Sequence, residues 1–154
     1  MTSPAADVVG FWHVGITVSD LERSVAFYSD GLGLELHSRA VSSSAASQVW
    51  GLPDARADVV YLRIPGSDAM LELLHFHGDV DQRSAAARPW DAASGHFCLL
   101  VDDLDGLYEH LSARGYRSRS GGVTVITEGP LTGSKAAYLV DPDGYHVEVF
   151  ERAG

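Results

Sequence analysis

Two histidines and two glutamates are the residues of this sequence whose types and spacing could do chemistry. His13 and His96 each open an apolar run, and Glu72 and Glu148 each interrupt another, in MLELL and HVEVF. A buried carboxylate without a basic partner is costly. Two imidazoles and two carboxylates suit a divalent ion and leave positions open for water or substrate. The alternative is four unrelated core or rim residues, which is the better interpretation of any single histidine taken alone.

The four residues occupy equivalent places because the chain repeats itself. HVGITVSDLERSVAFY matches HFCLLVDDLDGLYEHL at an offset of 83 residues (96 − 13). The two glutamates are 76 residues apart (148 − 72), since the segment SSSAASQVWGLPDARA lengthens the first half. Chance similarity of two helix starts is the alternative, but both halves share one order of elements, which favours a true repeat.

The elements that must position these residues are a strand, a helix and three more strands in each half. We predict helices after Ser19 or Asp20 and after 101, a linker over 79–94, and strands at 12–18, 34–41, 58–64, 69–76, 95–101, 123–127, 135–140 and 145–150. The chain is thus predicted to be one α+β domain, 1–154, made of two βαβββ modules, 11–78 and 94–152. Strand alternation predicts that the His and Glu faces look inward, so that the two sheets complete one another.

Composition restricts the partners. The 154 residues carry a net charge of −10, which argues against a nucleic acid or an anionic membrane as partner. A single cysteine, Cys98, excludes an intramolecular disulfide and fits a reducing compartment. No signal-peptide pattern or bilayer-length apolar run is present in the sequence. We therefore expect a soluble cytoplasmic protein.

The chain resembles members of the vicinal oxygen chelate superfamily, which includes glyoxalases, epimerases, extradiol dioxygenases, fosfomycin-modifying enzymes and antibiotic-binding proteins. The resemblance covers 11–151 and rests on HVGITVSDLERSVAFY, LELLHF, GHFCLLVDDLDGLYEHL and YLVDPDGYHVEVFE. It implies that two modules with mixed and antiparallel sheets form a cup around one divalent metal ion (Ni, Co, Zn, Mn or Fe). The implied ligands are His13, Glu72, His96 and Glu148.

The four-ligand set is similar to that of the glyoxalase I and epimerase branches. That similarity implies a homodimer and a lyase, isomerase or epimerase that stabilises an enediolate or enolate of a small oxygen-rich substrate. Glu148 or Glu72 would move the proton. Thr17, Phe76 and Ala92 replace the polar residues that glutathione-dependent glyoxalases carry at the matching positions. We therefore expect a different and less charged substrate.

Two other functions stay open. Tyr138 lies ten residues before Glu148 (148 − 138), a spacing that is similar to that of Fe(II) extradiol ring-cleaving dioxygenases. Glu72 would however fill part of the open face of their 2-His-1-carboxylate site. The third possibility is a non-catalytic drug-binding or antibiotic-binding resistance protein, a class that generally lacks the metal ligands.

Seven residues are candidates for substrate binding. Trp50 belongs to the segment least covered by the repeat, Cys98 and His146 share faces with His96 and Glu148, and Lys135 is the only lysine. For Cys98 the alternative is packing, and for Lys135 it is a solvated loop position. The complete set is Thr17, Trp50, Phe76, Cys98, Lys135, Tyr138 and His146.

Overall fold

The computed structural model describes residues 7–52, 54–78 and 88–154, which form two four-stranded sheets. The first contains β1 (His13–Thr17), β2 (Glu35–Val41), β3 (Arg56–Arg63) and β4 (Met70–His77) in the order β1-β4-β3-β2. The second contains β5 (His96–Leu100), β6 (Thr124–Val125), β7 (Lys135–Val140) and β8 (His146–Glu151) in the order β5-β8-β7-β6. The first strand of each sheet runs parallel to the last, and the other pairs are antiparallel. The predicted pair of βαβββ modules with mixed sheets is confirmed.

Each module has one helix between its first two strands, and both helices begin as the sequence predicts. α1 (Leu21–Val25) continues as a π-helix (Ala26–Gly31). Its N-cap is Asp20, whose carboxylate accepts the Arg23 N–H, and Asp103 caps α3 (Leu104–Ala113) in the same way. A short helix, α2 (Ser44–Val49), lies in the first-module insertion. Across the described ranges, no helix has the length and apolar character required to span a membrane.

Most strand ends lie within one residue of the prediction, and two strands differ by more. β3 begins at Arg56 rather than at 58, and the strand predicted over 123–127 shortens to Thr124–Val125. The Ile126 N–H still bonds to the Ser134 carbonyl, but the chain turns between them through Gly129 and Gly133, both with positive φ. The predicted linker lies partly at 79–87, outside the described residues.

The two modules share one hydrophobic core, which lies on the helix side of both sheets. Phe27 and Tyr28 of the π-helix pack edge to face, and Phe27 also meets Tyr116 of the second module, with ring centroids 4.8 Å apart. Alternate residues of the strands complete this core, including Ile16, Val60, Leu62, Leu71, Leu73, Leu139, Val147 and Val149. The opposite faces of the sheets are therefore left to carry the His and Glu residues.

A buried hydrogen bond connects the two modules. The Tyr28 hydroxyl donates to Asp141 Oδ2 at 2.9 Å, and Asp141 Oδ1 accepts the backbone N–H groups of Asp143 and Tyr145. Burial, followed by the Asp141 charge, raises the pKa of Tyr28 well above its usual value. Burial also raises the pKa of Asp141, while these hydrogen bonds lower it. The DPDG turn thus anchors one module on the helix of the other.

Replacement of Tyr28 by phenylalanine is expected to lower the free energy of unfolding by about 1–3 kcal/mol, because Asp141 loses a buried donor. The hydroxyl stabilises the charged carboxylate, so the loss should be largest at neutral pH and shrink as acidification protonates Asp141. Urea unfolding at several pH values measures it. Tyr116→Phe is the matched control, because that hydroxyl makes no hydrogen bond among the described residues. An equal loss of unfolding free energy in both variants would show that the hydrogen bond from Tyr28 to Asp141 does not stabilise the fold.

Candidate metal and substrate site

The open face of the first sheet carries half-site 1, defined as His13, Tyr61 and Glu72. The register places Gly15 of β1 and Tyr61 of β3 on either side of Glu72, and His13 comes within reach from β1. His13 Nε2 lies 3.3 Å from Glu72 Oε2, and the Tyr61 hydroxyl donates to Glu72 Oε1 at 2.5 Å. Burial, followed by the hydrogen bond and charge of Glu72, raises the pKa of Tyr61 to about 12. Tyr61 therefore stays protonated and remains a donor at neutral pH.

Gly15 leaves room for the Glu72 carboxylate beside β1. A Cβ on Gly15 would lie 3.1 Å from Glu72 Oε2, which is closer than most side-chain contacts allow. Its equivalent in the second half is Cys98, at the same offset of 83 residues (98 − 15). The missing side chain at Gly15 lets the Glu72 carboxylate approach β1 closely, beside His13.

The open face of the second sheet carries half-site 2, defined as His96, Tyr138 and Glu148. Glu148 lies between Cys98 and Tyr138 in the register, as Glu72 lies between Gly15 and Tyr61. His96 Nε2 is 3.2 Å from Glu148 Oε2, and the Tyr138 hydroxyl is 3.3 Å from the same nitrogen. Burial, then Glu148, raises the pKa of Tyr138. The two half-sites are thus related by the internal repeat.

The His–Glu geometry fits a divalent metal ion. Two ligands with bonds of about 2.1 Å to one ion are about 3.0–3.4 Å apart when those bonds meet at right or tetrahedral angles. Both observed nitrogen–oxygen distances, 3.3 and 3.2 Å, fall in this range. Each half-site thus holds one imidazole and one carboxylate in direct contact, at a spacing that is also compatible with a shared ion.

The structure brings the four predicted ligands together as two pairs rather than as one cluster. Among the described residues, no three His, Cys, Asp or Glu side chains are placed to hold one ion. The face of the second module does not look inward along its whole length as expected, because His96 is 42% exposed and Leu100 is 62% exposed. Helix-side packing of the two modules explains this, since it turns both His–Glu faces outward. Nδ1 of His13 is buried and has no hydrogen-bond partner in the described chain. A histidine that binds a metal through Nε2 usually donates a hydrogen bond from Nδ1, so this feature of metal sites is missing at His13.

The predicted substrate-binding residues of the first module line one end of its open face. Phe76 shares the Glu72 face and packs edge to face on Trp50, with ring centroids 4.8 Å apart. Both belong to a small apolar cluster with Ala57, Val59 and Leu74. Thr17 is exposed at the end of β1. The surface at this end of half-site 1 is therefore mostly apolar. This agrees with the sequence, in which Thr17 and Phe76 stand where glutathione-dependent glyoxalases carry more polar residues.

In the second module, Cys98 and His146 surround half-site 2. Partial burial, then the charge of Glu148 and a hydrogen bond with it, raises the pKa of Cys98 to about 11, so the thiol stays protonated at neutral pH. His146 is buried beside His96 in the register. Burial, followed by Arg119, lowers the pKa of His146, which favours its neutral form.

Lys135 lies away from this face. Its ammonium group bonds to Asp105 at 2.7 Å and to Glu151 at 3.0 Å, on the side of β7 opposite Tyr138. These hydrogen bonds raise the pKa of Lys135 above its ordinary range. Strand alternation separates Lys135 from Tyr138, three residues later, so the prediction that Lys135 belongs to the substrate site is wrong.

Sequence reasoning missed two residues of the site. Tyr61 lies 11 residues before Glu72 (72 − 61), and Tyr138 lies ten before Glu148, so the repeat contained the signal for Tyr61. Arg119 lines a pocket of about 310 Å³ with Ser120, Thr124, Ala136, Ala137, Tyr138 and Glu148. No motif in the sequence marks Arg119.

Comparison with known proteins agrees with this fold. A family model described as the Glyoxalase/Bleomycin resistance protein/Dioxygenase superfamily matches residues 10–149. The chain is 31% identical over 145 residues to a 2-epi-5-epi-valiolone epimerase from Actinomyces sp, covering 92% of this chain and 78% of that protein. It is 28% identical over 142 residues to a lactoylglutathione lyase from Haemophilus influenzae, covering 90% of each chain.

A glyoxalase family protein from Bacillus cereus has a similar structure, with a TM-score of 0.85 and 19% identity, covering 99% of this chain and 100% of that one. The fold and the paired half-sites define a two-module βαβββ protein. The chain belongs to the Glyoxalase/Bleomycin resistance protein/Dioxygenase superfamily, also called the vicinal oxygen chelate superfamily.

Proposed function

We propose that the protein is a divalent-metal-dependent lyase, isomerase or epimerase acting on a small oxygen-rich substrate. The observation that carries this proposal is the pair of His–Glu contacts, at 3.3 and 3.2 Å, at equivalent places of the two modules. His13, Glu72, His96 and Glu148 would hold the ion. Similarity to an epimerase and to lactoylglutathione lyases supports a reaction that moves a proton beside a carbonyl group.

In the proposed chemistry the ion and the two glutamates have different roles. A bound divalent ion supplies stabilisation for negative charge that develops on substrate oxygen. Glu148 lines the pocket and would take the proton from the substrate carbon. Glu72 is held by the Tyr61 hydroxyl at 2.5 Å, which makes its carboxylate less available as a base. We therefore assign Glu148 as the base, with Tyr138 and the protonated Cys98 beside it.

We further propose that two copies of the chain complete each site. One chain presents its two pairs separately, and each pair supplies only two of the four ligands. Apolar residues are exposed close in sequence to the half-sites, with Phe11 and Trp12 before His13, and Leu100 after His96. In a C2 dimer, half-site 1 of one copy would face half-site 2 of the other, which gives two equivalent centres.

The test of this function is the metal content of the purified protein. We expect about one Ni, Co, Zn, Mn or Fe ion per chain in the wild type, as a four-ligand site requires. The Glu72→Gln, Glu148→Gln double variant should lose it, because each pair loses its anionic ligand. Glu109→Gln, an exposed substitution on α3, is the control. Elemental analysis after native purification measures it, and no bound metal after reconstitution of the wild type would overturn the proposal.

Two other functions make different predictions for the same preparation. An extradiol dioxygenase would contain iron and consume oxygen with a catechol, and Tyr138 beside His96 is the observation that favours it. A drug-binding protein would bind its ligand without metal and without turnover. Deuterium transfer from solvent into substrate carbon, without oxygen uptake, is expected only for the proposed enolising enzyme.

A further inference from the structure

Arg119 brings a permanent positive charge into the pocket that contains the proposed base. The pocket has a volume of about 310 Å³, and Arg119 is the only basic residue among its seven lining residues. Glu148 and Tyr138 of half-site 2 line the same space. A group held by Arg119 would therefore lie in the same pocket as the proposed reaction centre.

The guanidinium group of Arg119 forms no close ion pair with a carboxylate of the described residues, and its charge acts on Asp91 only at longer range, where it helps to lower the pKa of that carboxyl after the hydrogen bonds from Arg88. Arg23, Arg88 and Lys135, by contrast, each pair with an acidic side chain at 3.1 Å or less. The chain has only 11 basic residues against 21 acidic ones. An arginine that stays unpaired in so acidic a protein has its donors available for another anion.

Two neighbours hold the Arg119 side chain in place. Its guanidinium carbon lies 5.1 Å from the ring centroid of Trp90, a cation–π contact. Arg119 Nη1 is 3.4 Å from His146 Nε2. Arg88 contacts the same Trp90 ring at 5.5 Å, but its charge is matched by Asp91. The contacts to Trp90 and His146 orient the exposed Arg119 side chain and leave other guanidinium N–H groups unpaired among the described residues.

We propose that Arg119 binds an anionic group of the substrate, a carboxylate or a phosphate, while the neighbouring oxygens of the same molecule occupy the metal centre. The inference rests on the proposed metal-dependent function and adds the class of substrate: a small hydroxy-carbonyl compound with one terminal oxyanion. A guanidinium group matches the two oxygens of such an anion with two parallel hydrogen bonds. Thr17, Phe76 and Ala92 replace polar residues and led to the expectation of a less charged substrate. Arg119 changes that expectation, because it offers a donor for an anion at a different place, in the second module.

Binding of hydroxamates to the metal-loaded protein tests the inference without knowledge of the natural substrate. Acetohydroxamate chelates a metal through two neighbouring oxygens and carries no further charge. Phosphonoacetohydroxamate and succinic monohydroxamate add a phosphonate or a carboxylate to the same chelating group. We expect wild-type protein to bind one of the anionic compounds about 10- to 100-fold more tightly than acetohydroxamate, measured by calorimetry. The preferred compound distinguishes a phosphate from a carboxylate.

Two variants isolate the contribution of Arg119. Arg119→Gln should lose the preference for the anionic compound and keep its affinity for acetohydroxamate, which also demonstrates that it is folded. Arg117→Gln is the matched control, because this substitution removes the same charge two residues away. Arg117 lies outside the pocket, where its guanidinium group donates to the carbonyls of Ser112 and Tyr116. The Arg117→Gln variant should retain the preference.

The outcomes separate the inference from the function on which it rests. Equal affinity of wild-type protein for all three compounds, or an equal loss of preference in both variants, would overturn the role of Arg119 and leave the metal centre standing. Failure of all three compounds to bind the wild type would overturn the metal-dependent function, and the inference with it.

Discussion

Replacement of Glu148 by glutamine is expected to reduce proton transfer by about 10²- to 10⁴-fold, because the variant keeps the shape of the side chain but loses its basicity. Glu148 is the carboxylate that lines the pocket, with 24% of its side chain exposed. Exchange of deuterium from D2O into hydroxypyruvate or dihydroxyacetone, followed by NMR, reports the step directly. These compounds are enolisable hydroxy-carbonyl probes, and only hydroxypyruvate carries an anion for Arg119.

Comparison with Glu72→Gln distinguishes the base from a glutamate that serves only as a ligand. Both variants lose one anionic ligand, so both are expected to weaken metal binding, and exchange rates are compared at saturating metal. Under that condition Glu72→Gln should retain more exchange than Glu148→Gln, because Glu72 is held by Tyr61. The opposite order would transfer the role of base to Glu72. Glu109→Gln should exchange at the wild-type rate.

The sequence predicted the fold well because the same information occurs twice in it. Local patterns placed the first strand, the capped helix and the last strand of each half, and Asp20 is one of the two predicted caps, while Asp103 is its equivalent in the repeat. Alternation along β4 and β8 put Glu72 and Glu148 on the faces of His13 and His96 without knowledge of the tertiary structure. Features set by local periodicity were therefore predictable.

Features that depend on contacts between distant segments were not predictable in the same way. Arg119 reaches the pocket from a segment without any helix or strand pattern, and its contact with Trp90 joins residues 29 positions apart (119 − 90). Lys135 is adjacent in sequence to pocket residues but lies on the other face of β7. The outward orientation of the half-sites depends on which faces of the two sheets pack together, and an alternating pattern cannot decide that by itself.

The division of the proposed ligands into two half-sites leads to the second prediction with a large effect, which concerns metal binding by dimers of two different variants. One variant, His13→Ala with Glu72→Ala, removes both ligands of half-site 1. The other variant, His96→Ala with Glu148→Ala, removes both ligands of half-site 2. Each variant alone should contain almost no metal, because every centre of its homodimer would lack two of four ligands.

Co-expression of the two variants with different affinity tags gives a heterodimer that can be purified through both tags. If the centres form between copies, one centre of this heterodimer lacks all four ligands and the other keeps all four. We therefore expect about one metal ion per heterodimer, half the wild-type content, from two variants that bind almost none separately. If one chain supplies all four ligands of a centre, every centre in the heterodimer has lost two ligands and no metal returns. Because half-site 1 and half-site 2 lie apart in a chain whose modules share one core, recovery of this single ion is the expected result.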